Sequence, residues 1–190
     1  MQLLKDRILA EGRVLPGNIV KVDGFLNHQI DVALLSEMAK EFKRRFGDAG
    51  VTKVLTVEAS GIALGCMTAQ EFGVPVLFAK KAKSDNIEGG LYRSEIYSYT
   101  YKKHVTLLVS AQWLTADDTV LIVDDFLANG EALRGLLDII KQAGAKLAGV
   151  GIGVEKGFQP GGQALREAGV PLYSLAIIDS VDNGTITFRE

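Results

Sequence analysis

The chain of 190 residues contains very little cysteine, histidine and tryptophan. It has one cysteine, Cys66, together with two histidines and one tryptophan. A single cysteine cannot form a disulfide within the chain, and with two histidines it offers no set of zinc ligands. Such a composition is typical of a protein from a reducing compartment, so we expect a cytoplasmic location.

An excess of one charge and a long apolar segment are also missing. Lys plus Arg number 21 against 23 for Asp plus Glu, which gives a formal net charge of −2. This balance argues against binding of the whole protein surface to nucleic acid or to an anionic membrane. It is still compatible with a local basic patch. No apolar run has the length of a membrane span. The charges within M-Q-L-L-K-D-R-I-L-A-E-G predict an N-terminal amphipathic helix rather than a signal peptide.

Short β-branched runs alternate with helical patterns through the middle and end of the chain. The strand, helix, strand order predicts an α/β fold with a central parallel sheet flanked by helices. The length suits one domain over residues 1–190. Strands are predicted at 51–58, 74–80, 119–123, 147–154 and 172–178, with helices at 60–72 and 130–143.

Two stretches do not fit this core. Residues 81–110 lack a helical pattern and predict a two-stranded antiparallel β flap. Residues 1–30 predict a helix, a strand (Ile19–Val22) and a turn, which with the C-terminal segment would form a hood over one end of the sheet. A helix over Val32–Phe46 follows, and Asp31 is its expected N-cap. Because ligands of open α/β sheets bind beyond the carboxyl ends of the strands, the site should lie there.

The stretch V-L-I-V-D-D-F-L-A-N-G-E-A, residues 120–132, places two acids between a buried strand and a helix that begins near Gly130. Two adjacent carboxylates are costly to bury unless a ligand faces them. The N–H groups at a helix start bind anions, and Asp124 and Asp125 can accept hydrogen bonds from hydroxyls. The pattern therefore predicts a sugar-phosphate site. The alternative, that Asp125 or Asn129 merely caps the helix, does not explain two acids.

Two further segments are compatible with an anionic ligand. The turn E-A-S-G, Glu58–Gly61, has small residues that let the backbone approach an anion, although Ser60 could simply cap the next helix. Lys80, Lys81 and Lys83 could screen a diphosphate, although a lysine run is more often a solvated surface. The polar loop S-D-N-I-E-G-G-L that follows predicts a lid that closes over the site.

Two other segments carry groups that could contact a ring ligand. In E-K-G-F-Q-P-G, Lys156 can donate to a carbonyl oxygen on a purine edge, and Phe158 can stack on the ring or pack under the hood. In V-D-G-F-L-N-H, the amide of Asn27 can both donate and accept. The series G-V-G-I-G-V lies inside a strand pattern and is not a dinucleotide fingerprint.

These motifs resemble those of the type I phosphoribosyltransferases, and within that family the bacterial xanthine phosphoribosyltransferases. The similarity covers essentially the whole chain, including K-V-D-G-F-L-N-H-Q-I-D, T-V-E-A-S-G-I-A and I-G-V-E-K-G-F-Q-P-G. It implies the type I fold with its flexible flap and hood. It also implies a role in purine salvage, in which the 5-phosphoribosyl group moves from phosphoribosyl diphosphate to N9 of xanthine. The products of this reaction are xanthosine 5′-monophosphate and pyrophosphate. Mg²⁺ is expected with the diphosphate and no organic cofactor is expected, and the enzyme should be a homodimer.

The resemblance also assigns roles to residues. Asp124 and Asp125 would hold the ribose hydroxyls, and one of them could assist proton removal from the base. No metal ligand is assigned to the protein. The base would contact Val20 through its backbone, Asn27, Lys156 and Phe158. The phosphoribosyl group would be bound by Ala128, Asn129, Gly130, Glu131 and Ala132, and the diphosphate by Ala59, Ser60, Gly61, Lys80, Lys81 and Lys83.

One departure from the wider family concerns the phosphate loop. Many members carry threonines where this chain has Ala128, Asn129 and Ala132, so backbone amides and the Asn129 side chain would have to bind the phosphate. Glu131 adds a negative charge beside that phosphate, so we expect its carboxylate to point away.

Two other functions stay open from the sequence. One is a phosphoribosyltransferase that prefers guanine or hypoxanthine. The other is a regulator that senses phosphoribosyl diphosphate on the same fold, since fold alone does not determine function. The chain has neither an appended helix-turn-helix domain nor a basic stripe, which disfavours the regulator.

Overall fold

The computed structural model describes residues 1–81, 90–98, 103–182 and 184–190. Lys83 and most of the predicted lid lie outside these residues. The α-helices within them are α1 (Gln2–Glu11), α2 (Val32–Phe46), α3 (Gly61–Phe72), α4 (Glu131–Ala143) and α5 (Pro160–Glu167). The strands are β1 (Arg13–Leu15), β2 (Ile19–Lys21), β3 (Lys53–Val57), β4 (Val76–Ala79), β5 (Leu91–Ser98), β6 (Lys103–Ser110), β7 (Thr119–Leu127), β8 (Lys146–Lys156), β9 (Leu172–Asp182) and β10 (Thr185–Phe188).

A central sheet confirms the predicted α/β fold. Within the described residues its strands lie in the order β10-β9-β8-β7-β3-β4, and all neighbours are parallel except β10 with β9. One apolar core lies between the sheet and the helices α1, α2 and α3, while a second lies between the sheet, α4 and the flap. Both faces of the sheet are therefore covered, as its buried aliphatic strands require.

The flap is the hairpin of β5 and β6. These strands are antiparallel from Leu91↔Ser110 to Ser98↔Lys103. A backbone bridge between Lys80 and Leu108 joins the flap to the end of β4, with hydrogen bonds of 3.0 and 2.9 Å. The flap therefore begins beside the carboxyl edge of the sheet.

The N-terminal residues pack against the C-terminal strands. The buried Leu4 and Ile8 attach α1 to the core, and the amino group of Met1 donates to the carbonyl oxygen of Leu175. Lys5 Nζ donates to the carbonyl oxygen of Arg189 at 2.8 Å. After the β1–β2 hairpin, a π-helix (Asp23–Asn27) leads to α2, whose first turn is capped by Asp31 through a 3.0 Å bond from the N–H of Leu34. We call residues 1–30 with β9 and β10 the hood.

Several elements differ from the sequence-based expectation. The strand predicted at 119–123 continues to Leu127, because it goes on pairing with β8 as far as Leu127↔Glu155. The acids therefore lie within the strand, near its end, and not after it. The short elements β1, α5 and β10 were not predicted. None of the helices in the described ranges combines the length and apolar character of a membrane span.

The glycine series of β8 lets α2 pack directly on the sheet. A Cβ on Gly151 would lie 2.9 Å from two ring atoms of Phe42, and one on Gly149 would overlap the Phe46 ring. A Cβ on Gly153 would lie 2.8 Å from the carbonyl oxygen of Asp125 and 3.1 Å from Met38 Cε. The glycines therefore form a groove for the apolar face of α2, which explains their place inside a strand.

Filling this groove should destabilise the protein. We expect Gly151→Val to lower the free energy of unfolding by about 1–3 kcal/mol, because an overpacked core must shift backbone or rotamers. Urea denaturation measures the change. Gly47→Ala is the control, since Gly47 has helical backbone angles and a Cβ there meets Lys43 no closer than 3.9 Å. Equal stability of the two variants would contradict this packing role.

Candidate active site

The two acids lie at the carboxyl end of β7, and each is 5% exposed. The carboxylate of Asp125 accepts hydrogen bonds from two other segments. Asn27 Nδ2 donates to Oδ2 and Ser60 Oγ donates to Oδ1, both at 2.9 Å. Asp125 thus joins the hood, the turn after β3 and the end of β7 at one point.

Asp124 lies in a less favourable environment for a charge. Burial, followed by the neighbouring charge of Asp125, raises the pKa of Asp124 well above its ordinary value, and the Lys81 ammonium only partly opposes this. Its Oδ1 accepts the backbone N–H of Asp125 at 3.1 Å. A Cβ on Gly61 would lie 2.6 Å from the same oxygen, so glycine is needed where α3 meets the acid.

The segment Ala128–Ala132, which we call the phosphate loop, leads from β7 into α4. Gly130 adopts φ +83°, a conformation that favours glycine, and is the N-cap without a capping side chain. The first N–H groups of α4 therefore have no side-chain acceptor from the N-cap residue, which does not support the view that Asp125 or Asn129 acts as the helix cap. An anion at this point would accept from these N–H groups.

Arg134 fixes the outer side of the phosphate loop. Its Nη2 donates to the carbonyl oxygen of Asn129 at 3.0 Å, and its guanidinium forms an ion pair with Glu131. The charge of Glu131 is therefore neutralised by Arg134, which reduces its repulsion of a bound phosphate. Arg134 was missed from the sequence, although its spacing of three residues from Glu131 is that of a helical ion pair.

The turn Glu58–Gly61 leads from β3 into α3, and the Glu58–Ala59 peptide bond in it is cis. Ser60 precedes α3 but makes no capping bond, because its hydroxyl is directed to Asp125. The backbone N–H of Lys81 donates to Glu58 Oε1 at 2.5 Å. The side chains of Lys80 and Lys81 are exposed, and of these two Lys81 lines the cleft described next.

A cleft of about 190 Å³ lies between the phosphate loop and the flap. The flap residues Ile96, Tyr97 and Val105 form one wall. They were not assigned to the site from the sequence, because the pairing that brings the flap over the loop is not local. The other wall comprises Lys81, Asp124 and the continuous stretch from Phe126 to Leu133.

Of the residues predicted to recognise a base, Lys156 lies beside a residue that lines this cleft. Its Nζ lies 5.9 Å from the ring centroid of Phe126, which lines the cleft. Asn27 donates to Asp125, the chain neighbour of the cleft residue Asp124. Burial lowers the pKa of Lys156, which is half-buried. Phe158, in the turn after β8, is 39% exposed and so is not packed under the hood. The Val20 side chain is 6% exposed within the core, which leaves only its backbone for a ligand.

The described residues contain no group of three or more His, Cys, Asp or Glu side chains arranged to hold a metal ion. The oxygens of Asp124 and Asp125 are hard ligands of the kind Mg²⁺ prefers, but two carboxylates do not complete its octahedral shell. The site therefore fits a magnesium ion that takes most of its ligands from a bound phosphate ester and from water.

Comparison with known proteins places the chain in a family. Residues 21–159 match the phosphoribosyl transferase domain, so the chain belongs to the phosphoribosyl transferase family. It is 56% identical to the xanthine phosphoribosyltransferase of Ruminiclostridium cellulolyticum over 190 residues, which is 100% of both chains. It is 55% identical to the enzyme of that name from Lachnoclostridium phytofermentans, over 100% of this chain and 98% of the relative.

Solved structures give the same fold. The adenine phosphoribosyltransferase of Giardia lamblia, complexed with 9-deazaadenine, is 25% identical and superposes with a TM-score of 0.77 over 92% of this chain and 96% of that one. The adenine phosphoribosyltransferase of Rhodothermus marinus is 20% identical and superposes with a TM-score of 0.75 over 94% and 100% of the two chains. The latter likeness concerns the fold alone.

Because the folded protein raises the pKa of Asp124, ionisation of this group opposes folding. The free energy of unfolding should fall as pH rises from the ordinary carboxyl range through the raised pKa. We expect Asp124→Asn to be more stable than the wild type near neutral pH, by about 0.5–2 kcal/mol. The difference should shrink toward about pH 4, where the Asp124 carboxyl of the wild type is protonated in the folded state and about half protonated in the unfolded state. Urea denaturation of the ligand-free proteins at both pH values measures it.

The exposed Asp117 supplies the control for this comparison. Asp117→Asn should leave stability close to that of the wild type at both pH values, since no buried charge is removed. If Asp124→Asn were no more stable than the wild type near neutral pH, the electrostatic cost assigned to Asp124 would be wrong.

Proposed function

We propose that this protein is a purine-salvage phosphoribosyltransferase that transfers the 5-phosphoribosyl group from phosphoribosyl diphosphate to N9 of xanthine. The products are xanthosine 5′-monophosphate and pyrophosphate. The observation that carries the proposal is the buried acid pair of Asp124 and Asp125 beside the uncapped start of α4. Together these groups match a ribose with free hydroxyls and a 5′-phosphate.

The phosphate loop binds the 5′-phosphate in this proposal, chiefly through backbone N–H groups from Asn129 to Ala132. The side chains of these four residues supply few hydrogen-bond donors, because Gly130 and Ala132 carry no polar side-chain group. The carboxylates of Asp124 and Asp125 accept hydrogen bonds from the 2′- and 3′-hydroxyls. Because the donors and acceptors are already held in place, binding requires little rearrangement.

The diphosphate lies toward the turn at Ala59, Ser60 and Gly61. Lys81, which lines the cleft, stabilises the charge that grows on the diphosphate as its bond to C1′ breaks. Lys80 and Lys83 stay predictions for the same role. Asp124 and Asp125 would offer carboxylate oxygens to a Mg²⁺ ion held mainly by the diphosphate and water, and such an ion would further neutralise the charge of the diphosphate.

Xanthine recognition uses Lys156 and Asn27. Burial already destabilises the charge of Lys156, so an oxygen or nitrogen acceptor on the base would stabilise it. Adenine has no oxo group at C6, so a lysine at this place favours oxopurines. An Asn amide nitrogen carries two N–H groups; Asn27 gives one to Asp125 and keeps the other for the C2 oxygen of xanthine. Phe158 is exposed and available to stack on the ring, and the Val20 contact is limited to its backbone.

We also place the enzyme in the cytoplasm, since Cys66 is free and exposed, and we retain the homodimer as a prediction. A regulator on the same fold is the competing function. The base-directed groups Asn27 and Lys156 favour the enzyme, because sensing phosphoribosyl diphosphate does not require them.

Initial rates with three bases test the proposal. Purified protein with Mg²⁺ and phosphoribosyl diphosphate should convert xanthine with a higher kcat/KM than guanine or hypoxanthine. Release of pyrophosphate measures turnover. Faster use of guanine or hypoxanthine would reassign the base preference. Absence of turnover with all three, together with salt-dependent nucleic-acid binding, would favour the regulator.

The role of Asn27 can be separated from its bond to Asp125. We expect Asn27→Ala to lower kcat/KM for xanthine by about 10–100-fold, because the C2 oxygen loses its donor. Hypoxanthine, which lacks that oxygen, should be affected less. Ser60→Ala is the matched control, since it removes the other side-chain donor to Asp125 but lies on the diphosphate side. If Ser60→Ala changed the xanthine-to-hypoxanthine ratio equally, Asn27 would act through Asp125 and not through the base.

A further inference from the structure

A further buried carboxylate lies outside the site described so far. Glu155, near the end of β8, is 1% exposed. It accepts two hydrogen bonds of 2.7 Å from the guanidinium of Arg166, one at each oxygen, and a third of 2.5 Å from the hydroxyl of Ser174. We call these three residues the Glu155 clamp. A two-point guanidinium–carboxylate bond fixes direction as well as distance.

The clamp holds α5 closely against β8. Arg166 belongs to α5, and the backbone of that helix is pressed onto the carboxylate at Gly162, where a Cβ would overlap Glu155 Oε1. Burial alone would oppose ionisation, but the hydrogen bonds from Arg166 and Ser174 hold the pKa of Glu155 below its ordinary value. The carboxylate is therefore charged at neutral pH and fully engaged.

The first turn of α5 supports the phosphate loop. The N–H of Gly161 donates to the carbonyl oxygen of Ala128 at 3.1 Å. A Cβ on Gly161 would overlap that oxygen and would lie 2.6 Å from both Asn129 C and Gly130 N. The backbones of α5 and the phosphate loop are thus in direct contact, so a displacement of α5 must displace the loop.

Glu155 also adjoins the residues assigned to the base. It precedes Lys156 in the chain, and in the sheet it is paired with Leu127, the last residue before the phosphate loop. A single carboxylate therefore lies between the two halves of the proposed ligand site. It contacts neither half through its own side chain.

We propose that Glu155 is a positioning residue that, through Arg166 and α5, sets the phosphate loop and the Lys156 turn in register with each other. The inference rests on the proposed function, since it assigns the two halves to phosphoribosyl diphosphate and base. The clamp acts on substrate binding and not only on folding. Loss of the Glu155 charge shifts α5, and with it the amides that bind the phosphate.

Glu155→Gln tests the clamp, because glutamine keeps the size of the side chain but weakens the bond to Arg166. We expect the Kd for phosphoribosyl diphosphate and the KM for xanthine each to rise about tenfold or more, since displacements near 1 Å have large effects at a site. The value of kcat at saturation should fall less. Arg166→Lys, which keeps the charge but not the two-point bond, should give intermediate values.

Asp118→Asn is the matched control for a merely structural role. Asp118 is also buried and accepts from several donors, including Lys53 Nζ and the N–H of Thr115, but it lies at the opposite, amino end of β7. We expect this variant to lose thermal stability while Kd and KM stay within about twofold of the wild type. If Glu155→Gln behaved in the same way, with a lower Tm and unchanged Kd and KM, the proposal would be overturned.

Gly161→Ala keeps the inference testable if Glu155→Gln does not fold. The added Cβ pushes the phosphate loop directly, so Kd for phosphoribosyl diphosphate should rise about tenfold or more, whereas an unchanged Kd would overturn the coupling. Calorimetric binding of phosphoribosyl diphosphate gives this readout without turnover. If the wild type binds phosphoribosyl diphosphate but converts none of the three bases, the proposed activity is refuted. The clamp is judged separately, from the Kd values of the variants for phosphoribosyl diphosphate.

Discussion

The hydrogen-bonded carboxylate of Asp125 is the interaction on which the arrangement of the site depends. Burial of two neighbouring acids opposes folding unless donors surround them, and the chain brings those donors from distant segments. Asn27 approaches from the hood and Ser60 from the turn after β3, so three separate parts of the chain meet at one side chain. The hood is thereby fixed over the end of the sheet by the same group that we propose as a ligand of the ribose.

Close backbone contact is the second constraint. Gly61 lets α3 approach Asp124, Gly151 lets α2 approach β8, and Gly161 lets α5 support the phosphate loop. In each case a methyl group would collide with a neighbour. The positions of these helices relative to the sheet therefore follow from the absence of side chains at a few sites, and the ligand groups take their positions from the helices.

The sequence predicted the parts of the fold that rest on local pattern. The alternation of strands and helices in a parallel sheet, α3, α4 and the Asp31 cap of α2 follow from periodicity and capping residues and are confirmed. The short helix α5 was missed, since eight residues with two glycines carry little helical signal. The flap wall of the cleft and the Asn27–Asp125 bond were also missed as contacts. They join residues far apart in the chain, and a single sequence carries no direct record of such pairs.

The bond from Asn27 to Asp125 has a consequence for how base preference can evolve. A residue that reads the base is normally free to change when a new substrate is favoured. In the proposed function Asn27 is such a residue, but it also donates to one oxygen of a buried acid, so most replacements would leave that oxygen without its donor. A lineage that shifts to another purine must therefore either keep an amide or hydroxyl at position 27 or acquire a new donor to Asp125 elsewhere. Selectivity and ribose binding are in this sense inherited together.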